Sequence, residues 1–434
     1  MKYSTFNSII SIGIDKYILY NSISDKFIIL SDKAYKDLTN SDPDYLSEKN
    51  YILYAQMKKI GGIIDKNIDE IELIKQTIYR IDNNDDFYYL HVNPTLDCIF
   101  RCWYCYENHI AGSKMSPDVI NAIKRLIDNV INNQANLKTF ILSFFGGEPL
   151  MYFNDIAKQL IDYLCIICHS KNIISHIHFT TNGFLLNEKI LEYLQDKNVC
   201  FQITLDGAKE NHDLTRFTRN GHGSYERIIT NLKKLAKQDA QIILRINYTS
   251  SNIRNIHKIL DDLQELTADY RRNIKINLQR VWQDTEAEHN ENVNESLSEN
   301  FKLFYNNGFN VSVHKVLNSV YDSCYGDKKN HCIVNYNGNV YNCTARDFLE
   351  DNRSGYLLPN GQIEWENDSL EKRMSIKFTR PVCHTCKIAP LCGGGCSQKA
   401  LENKSDECIY SYTNEDIEKI ILDRFEFMFL HQKM

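Results

Sequence analysis

No stretch of the 434 residues approaches the roughly 18 uncharged apolar residues that a membrane-spanning helix needs. The opening MKYSTFNSIISIGIDKYILY holds only a short apolar run, soon met by Asp15 and Lys16, so no secretory signal is read there. A cytoplasmic protein with no membrane attachment is expected. Positive charge is not in excess either. The formal net charge of -6 argues against a nucleic-acid partner. Neither a solenoid repeat nor a low-complexity tract occurs. Cysteine is missing from the first 97 residues, so whatever thiol chemistry the chain performs lies beyond them.

Beyond them cysteine is plentiful. The chain has 14, and eight fall between Cys324 and Cys408. In a reducing cytosol such clusters bind metal more often than they form disulfides. The rest of the composition, 43% hydrophobic and 24% charged, is that of a globular protein, and the length allows two or three domains.

Three regions follow from the pattern. Residues 1–84 hold two strand-like runs, Tyr17–Tyr20 and Phe27–Leu30, joined by the turn-like Ser22–Asp25, then helix from Ser31 and again around Ser47–Tyr79. Residues 85–300 alternate strand and helix signals. Six strands are expected at 88–95, 139–146, 176–182, 200–207, 241–249 and 274–282. The helix between the first two starts at Ser116 as N-cap and Pro117, with Val119, Ile120, Ile123, Leu126, Ile127 and Val130 on one face. Strands that alternate with helices imply an α/β fold with a parallel sheet and right-handed crossovers. Its chemistry is expected at the strand carboxyl ends. The polar stretch 284–300 reads as a linker or a solvated helix, and residues 301–434 form the cysteine-rich third region.

Cys98-x3-Cys102-x2-Cys105 follows the first strand. Three thiolates within eight residues can wrap one cubane cluster, each ligating its own iron and leaving the fourth iron open to chemistry. A structural zinc knot completed by His91 or His109 is the other reading of the same residues. After the second strand comes Phe145-Gly146-Gly147-Glu148-Pro149. Glycines permit close backbone approach, and a carboxylate can pair with an ammonium. Thr180-Thr181-Asn182-Gly183 ends the third strand. Thr204-Leu205-Asp206-Gly207, then His212, Asp213 and Arg216, follow the fourth. Arg245 and Asn247 on the fifth are weaker candidates. Asn-Gly and Asp-Gly are also ordinary turn dipeptides.

The cysteine triplet, with Tyr104 before its last member, and the GGEP turn about 40 residues on resemble the radical S-adenosylmethionine (SAM) superfamily. The resemblance implies a partial (β/α)6 barrel and a [4Fe–4S] cluster on Cys98, Cys102 and Cys105. It further implies SAM held near Tyr104, Gly146, Gly147, Glu148, Asn182, Thr204, Asp206 and Arg216, with Glu148 toward its amino group and Arg216 toward its carboxylate. Reductive cleavage would then give a 5′-deoxyadenosyl radical.

The third region shows Cys383-x2-Cys386-x5-Cys392-x3-Cys396 with Cys408 downstream, preceded by Cys324, Cys332 and Gly338-x4-Cys343. This resembles the SPASM domain, which carries two auxiliary four-iron clusters and would bring the total to three. By resemblance one takes Cys324, Cys332, Cys343 and Cys396, the other Cys383, Cys386, Cys392 and Cys408. A double zinc ribbon is the alternative. Cys165-x2-Cys168-His169 matches a haem-attachment pattern, but it lies in an apolar helical run and is read as buried free thiols, as is Cys200. His176 and His178 are expected to pack or face solvent.

Enzymes of this resemblance modify peptides or proteins. The expected activity is a peptide maturase that forms a thioether or carbon–carbon cross-link in a ribosomally made precursor. Its partners would be that peptide and an electron donor such as flavodoxin or ferredoxin. A sulfatase-maturating enzyme is the runner-up. That branch carries Asp directly after the cysteine of the Gly-x4-Cys element, whereas here Thr344 stands there and the nearest carboxylate is Asp347. A non-catalytic iron–sulfur or zinc scaffold is the third reading. Residues 1–84 would either present a sheet edge to a leader peptide or cover one end of the barrel.

Overall fold

Six segments rich in β-branched and aromatic residues suit a pleated ladder, and each forms a strand. They are β1 (Phe87–Val92), β2 (Thr139–Phe144), β3 (Ile174–Thr181), β4 (Val199–Leu205), β5 (Gln241–Tyr248) and β6 (Ile274–Arg280). The structure, a computed structural model, describes all residues except 239, 288–289, 314–322, 404 and 433–434. Among the described residues the same sheet continues through β7 (Asn310–Val313), β8 (His331–Val334), β9 (Asn339–Tyr341), β10 (Gly355–Leu357) and β11 (Ile363–Trp365). The strand order is β7-β6-β5-β4-β3-β2-β1-β8-β9-β10-β11. Every pairing from β7 to β8 is parallel, and those from β8 to β11 are antiparallel. The expected six parallel strands therefore gain one parallel neighbour on either side.

Period-2 alternation decides what each strand face does. Leu90, Val92, Phe140, Leu142, Phe144, Ile177, Phe179, Phe201, Ile203, Leu244 and Ile246 are buried in one apolar cluster. Helices cover it with matching faces. In Pro117–Asn133 the Ser116 hydroxyl caps Val119 N–H, and Ile120, Ile123, Leu126 and Ile127 are buried. In Tyr225–Ala236 the buried set is Ile228, Ile229, Leu232 and Leu235. Each such side chain contributes about 1.5–3 kcal/mol. The 284–300 stretch is not a linker: helix Glu291–Asn306 crosses it and buries Val293, Leu297 and Phe304. The other strand face is polar and points His91, Ser143, His178, Gln202, Thr204 and Arg245 away from the helices.

Two compact units emerge. Asp85–His314 with Asn330–Ser369 is one, and Met1–Asn84 with Lys315–Lys329 and Leu370–Met434 is the other. The cysteine-rich third region is thus shared between them, because β8 adds to β1 in parallel, His331 opposite Tyr89. In the second unit, Asn7–Gly13, Lys16–Asn21 and Lys26–Ser31 form an antiparallel sheet in that order. Helices Asp32–Thr39, Pro43–Lys49, Tyr51–Lys59 and Glu70–Asp82 follow. No helix among the described residues is long and apolar enough to cross a membrane.

Candidate metal centre and cavity

The first cysteine loop is shaped by Asp97. Its buried carboxylate accepts hydrogen bonds from Cys98 N–H (2.8 Å), Gly112 N–H (3.0 Å) and Arg219 Nη2 (2.6 Å). Thr95 Oγ1 takes Asp97 N–H at 2.8 Å and donates to the Ser113 carbonyl at 2.6 Å. The loop so folded turns Cys98, Cys102 and Cys105 onto the wall of one cavity at the strand carboxyl ends. That cavity encloses about 1020 Å³ of empty space, including solvent at its mouth. Burial and the Glu148 charge push the Cys98 thiol up to about 12, and burial and Glu107 do the same for Cys105. Burial also raises Cys102, partly opposed by Arg216. Three thiols that resist ionisation by themselves suit a cationic partner that displaces their protons.

No group of three His, Cys, Asp or Glu side chains among the described residues converges as on a single metal ion. A cubane asks for something else, since each thiolate takes a separate iron. The zinc-knot reading fares worse. His91 is buried on β1 with Nδ1 3.0 Å from His331 Nε2, and only His109 stands near the loop, 3.5 Å from Cys105 Sγ.

Gly146 and Gly147 line the cavity with positive φ, +77° and +51°. A β-carbon on Gly147 would lie 2.1 Å from the Asp97 carbonyl oxygen, so this turn is pressed against the cysteine loop. Glu148 N–H donates to that same oxygen at 2.9 Å. The Glu148 side chain does not reach the cavity wall. Fully buried, it accepts from Thr181 Oγ1 (2.7 Å), Asn182 N–H (2.9 Å) and Leu150 N–H (3.0 Å) and ties the end of β2 to the end of β3. The carboxylate that does line the cavity is Glu107, which accepts Gly147 N–H at 2.7 Å. Burial lifts it to about 7.

Asn182 and Thr204 line the wall, and Asn182 Nδ2 is 3.9 Å from Cys98 Sγ. Asp206 stands behind it in a closed network. The Tyr104 hydroxyl donates to its carboxylate at 2.7 Å and accepts from Arg216 Nη2 (2.7 Å) and Asn247 Nδ2 (3.0 Å). Arg216 Nε lies 3.1 Å from Asp206 Oδ2. Arg216 therefore reaches the cavity already paired, and burial is offset by the Asp206 charge. His212 supports Asp206 from below, its Nδ1 accepting Asp206 N–H at 3.3 Å while Nε2 meets Ser224 Oγ at 2.9 Å.

Reading motifs missed Glu107, Gln202, Arg280, Trp282 and Gln283, all on the wall. Period-2 alternation was the available signal: Gln202 shares a strand face with Thr204, and Arg245 with Asn247. Trp282 stacks on Tyr106 at 5.9 Å, and Gln283 Nε2 donates to the Tyr104 carbonyl at 2.8 Å. His178 does not face solvent but meets Ser143 Oγ at 3.0 Å inside the sheet's polar face. Cys165 and Cys168 lie in helix Lys158–Ser170, with Cys168 fully buried.

In the other unit, Cys383, Cys386, Cys392 and Cys408 share a neighbourhood. Burial pushes Cys392 up to about 12, and charge on Cys386, Cys383 and Cys408 adds to it. Tyr410 is raised by burial and then by Cys392, Cys396 and, more weakly, Cys324. Burial, followed by charge on Cys386 and Cys408, also raises Cys383 to about 11, and burial raises Cys386. Cys332 and Cys343 belong to the first unit. Cys332 is fully buried on β8 with its Sγ 3.5 Å from the Tyr88 hydroxyl, and Cys343 Sγ accepts Ala345 N–H at 3.3 Å.

Residues 92–263 match the model of the radical SAM superfamily. Over 333 residues the chain is 25% identical to the cysteine-type anaerobic sulfatase-maturating enzyme of Clostridium novyi, covering 71% of this chain and 87% of that one. It is 27% identical over 238 residues to the radical SAM cyclopropyl synthase TigE of Paramaledivibacter caminithermalis, 52% of this chain and 46% of that protein. Its fold is that of two solved structures. Native anSMEcpe with bound AdoMet superposes with a TM-score of 0.60 at 17% identity, over 79% of this chain and 98% of that one. Streptococcus suis SuiB bound to S-adenosylmethionine gives 0.53 at 16% identity, over 94% and 97%.

Proposed function

Since the chain belongs to the radical SAM superfamily of enzymes, we propose that it is a peptide maturase that closes a thioether or carbon–carbon cross-link in a ribosomally made precursor. The observation that carries this is the convergence of Cys98, Cys102 and Cys105 with Asn182, Thr204 and Arg216 on one cavity. A four-iron cluster with SAM, when bound there, would supply the radical chemistry needed to activate an inert carbon–hydrogen bond.

The chain's own residues do the rest. Cys98, Cys102 and Cys105 would hold the cluster. Gly146 and Gly147 offer backbone at close range, and Glu107 offers a carboxylate beside them. The Tyr104–Asp206–Arg216 network fixes the guanidinium that lines the wall, and Arg245 adds a second cation. Trp282 stacked on Tyr106 gives the wall an apolar plate that helps exclude water.

The eight later cysteines would hold two auxiliary clusters, three in all, and those clusters would supply electron-acceptor chemistry. Cys332, packed in the apolar core, is the member least prepared for that role. Residues 1–84 suit a peptide partner, because the strands Asn7–Gly13 and Lys26–Ser31 are the edges of their sheet and can take an added strand. Flavodoxin or ferredoxin is the expected donor, and the cytoplasm the expected place.

The sulfatase-maturating reading is favoured by the 87% coverage of the C. novyi enzyme. Against it, Thr344 stands where that branch has Asp. Asp347 is committed to Asn352 Nδ2 at 2.5 Å.

The test is a search of the neighbouring reading frames for a short precursor, then anaerobic reconstitution and incubation with SAM, reductant and any such peptide. About twelve irons per chain, release of 5′-deoxyadenosine and a peptide lighter by two hydrogens are expected. Zinc without iron, or formylglycine made in a Cys- or Ser-type sulfatase peptide instead, would sink the proposal.

A further inference from the structure

Within Leu370–Met434 two buried arginines lie seven residues apart. Arg373 is 2% exposed and Arg380 is 5% exposed. Both spend their guanidinium groups on segments that carry cysteines.

Arg373 Nε donates to Asp327 Oδ1 at 2.9 Å, and its Nη1 donates to Gln398 Oε1 at 2.7 Å. Asp327 N–H in turn donates to the Cys324 carbonyl at 3.0 Å. Gln398 stands in the first turn of helix Ser397–Glu402, whose N-cap residue is Cys396. One planar fork thus bridges the Cys324 turn and the Cys396 helix. Lys377 backs it up, reaching Asp327 Oδ2 (3.1 Å), Asp82 Oδ2 (2.9 Å) and Ser323 Oγ (2.6 Å).

Arg380 serves the other set. Its carbonyl accepts Cys383 N–H at 3.1 Å and so opens the turn Pro381–His384. Its side chain donates to the carbonyls of Ser405 (2.9 Å), Ala400 (3.2 Å) and Asn403. Ser405 Oγ then takes Glu407 N–H at 3.0 Å, one residue before Cys408.

A buried cation is costly and gives little net stability over an apolar substitute, but it specifies one geometry. Here each geometry joins two cysteine-bearing segments that are distant in sequence. We propose that Arg373 and Arg380 are positioning residues that preassemble the two auxiliary cysteine sets, Arg373 registering Cys324 with Cys396 and Arg380 registering Cys383 with Cys408. This rests on the reading that those cysteines carry iron–sulfur clusters. Supporting residues around a metal site orient its ligands in the same way.

The experiment compares the full chain with R373Q, R380Q, C324A and C408A after anaerobic reconstitution. It measures iron per chain, the electron paramagnetic resonance spectrum of the reduced protein, thermal midpoint and 5′-deoxyadenosine release. C324A and C408A identify which resonance belongs to which set. R373Q should lose about four of about twelve irons and the resonance missing from C324A. R380Q should lose the resonance missing from C408A. Both should still release 5′-deoxyadenosine. The proposal is overturned if both variants keep all iron and both resonances. It is equally overturned if each loses both resonances together with the thermal midpoint, since that is ordinary unfolding. Failure of the underlying reading looks different: the unsubstituted chain itself would bind only about four irons, and C324A and C408A would change no spectrum.

Discussion

The carbonyl oxygen of Asp97 occupies the space beside Gly147 where any other residue would place its β-carbon, 2.1 Å away. The φ of +51° there is one that only glycine adopts freely. Two separate motifs, the cysteine loop and the GGEP turn, are therefore one object. Gly147→Ala should move the turn off the loop. The left-handed backbone alone costs about 1–2 kcal/mol, and the overlap with backbone adds to it. Reconstituted G147A should hold less iron on Cys98, Cys102 and Cys105 and release little 5′-deoxyadenosine. Unchanged release would show that the two segments move independently.

Arg216 and Asp206 form a buried pair with Tyr104 between them, their side chains 10% and 5% exposed. Arg216→Gln leaves a buried carboxylate without its cation and should cost about 3–5 kcal/mol in urea unfolding. Asp206→Asn with Arg216→Gln removes both charges and should recover part of that loss. A coupling energy of about 1–3 kcal/mol in the double-mutant cycle is expected. Strict additivity would mean that the ion pair holds nothing.

Much of this was readable beforehand. The six parallel strands were legible because each carries a period-2 apolar face bounded by Gly, Asn or Asp. The strand Asn7–Gly13 is hidden because its short apolar run near the N-terminus has the look of a targeting segment. Cavity residues at motif positions, such as Asn182 and Thr204, were found. Glu148 belonged to the right motif but faces Thr181 and Asn182 rather than the cavity, a distinction of side-chain direction that spacing does not encode. Glu107 was missed because it sits outside every motif, and only the fold of the cysteine loop brings it to Gly147. The division of the cysteine-rich region was hidden for a similar reason. The pairing of β8 with β1 spans about 240 residues of sequence and leaves no local trace.

His212 gives a pH prediction. Fully buried, it is held down to about 4 by burial first and by Arg216 next. An unfolded chain titrates it near 6.5. The folded state therefore binds fewer protons than the unfolded state between these values. Its contribution is fully present above about 6.5 and is lost as pH falls toward 4, by about 3 kcal/mol. Urea midpoints measured from pH 7.5 to 4 should fall more steeply for the unsubstituted chain than for His212→Gln, where this group cannot titrate. Parallel curves would place the acid sensitivity elsewhere.

Cysteines of the two kinds should separate under a single assay. Cys102 lines the cavity with a thiol that resists ionisation, and its value to the protein lies in binding metal. Cys168 is fully buried among Leu160, Ile161 and Leu164 on one helix and acts as a small apolar residue. Cys102→Ala should hold about four fewer irons and abolish 5′-deoxyadenosine release, while its thermal midpoint without metal stays near that of the unsubstituted chain. Cys168→Ala should do the reverse: iron and release are kept, and about 1 kcal/mol of stability is lost. The pair discriminates because both lose one sulfur and differ only in where it sits. Full deoxyadenosine release from C102A would falsify the assignment of that loop, and loss of iron from C168A would mean that the helix Lys158–Ser170 itself holds metal.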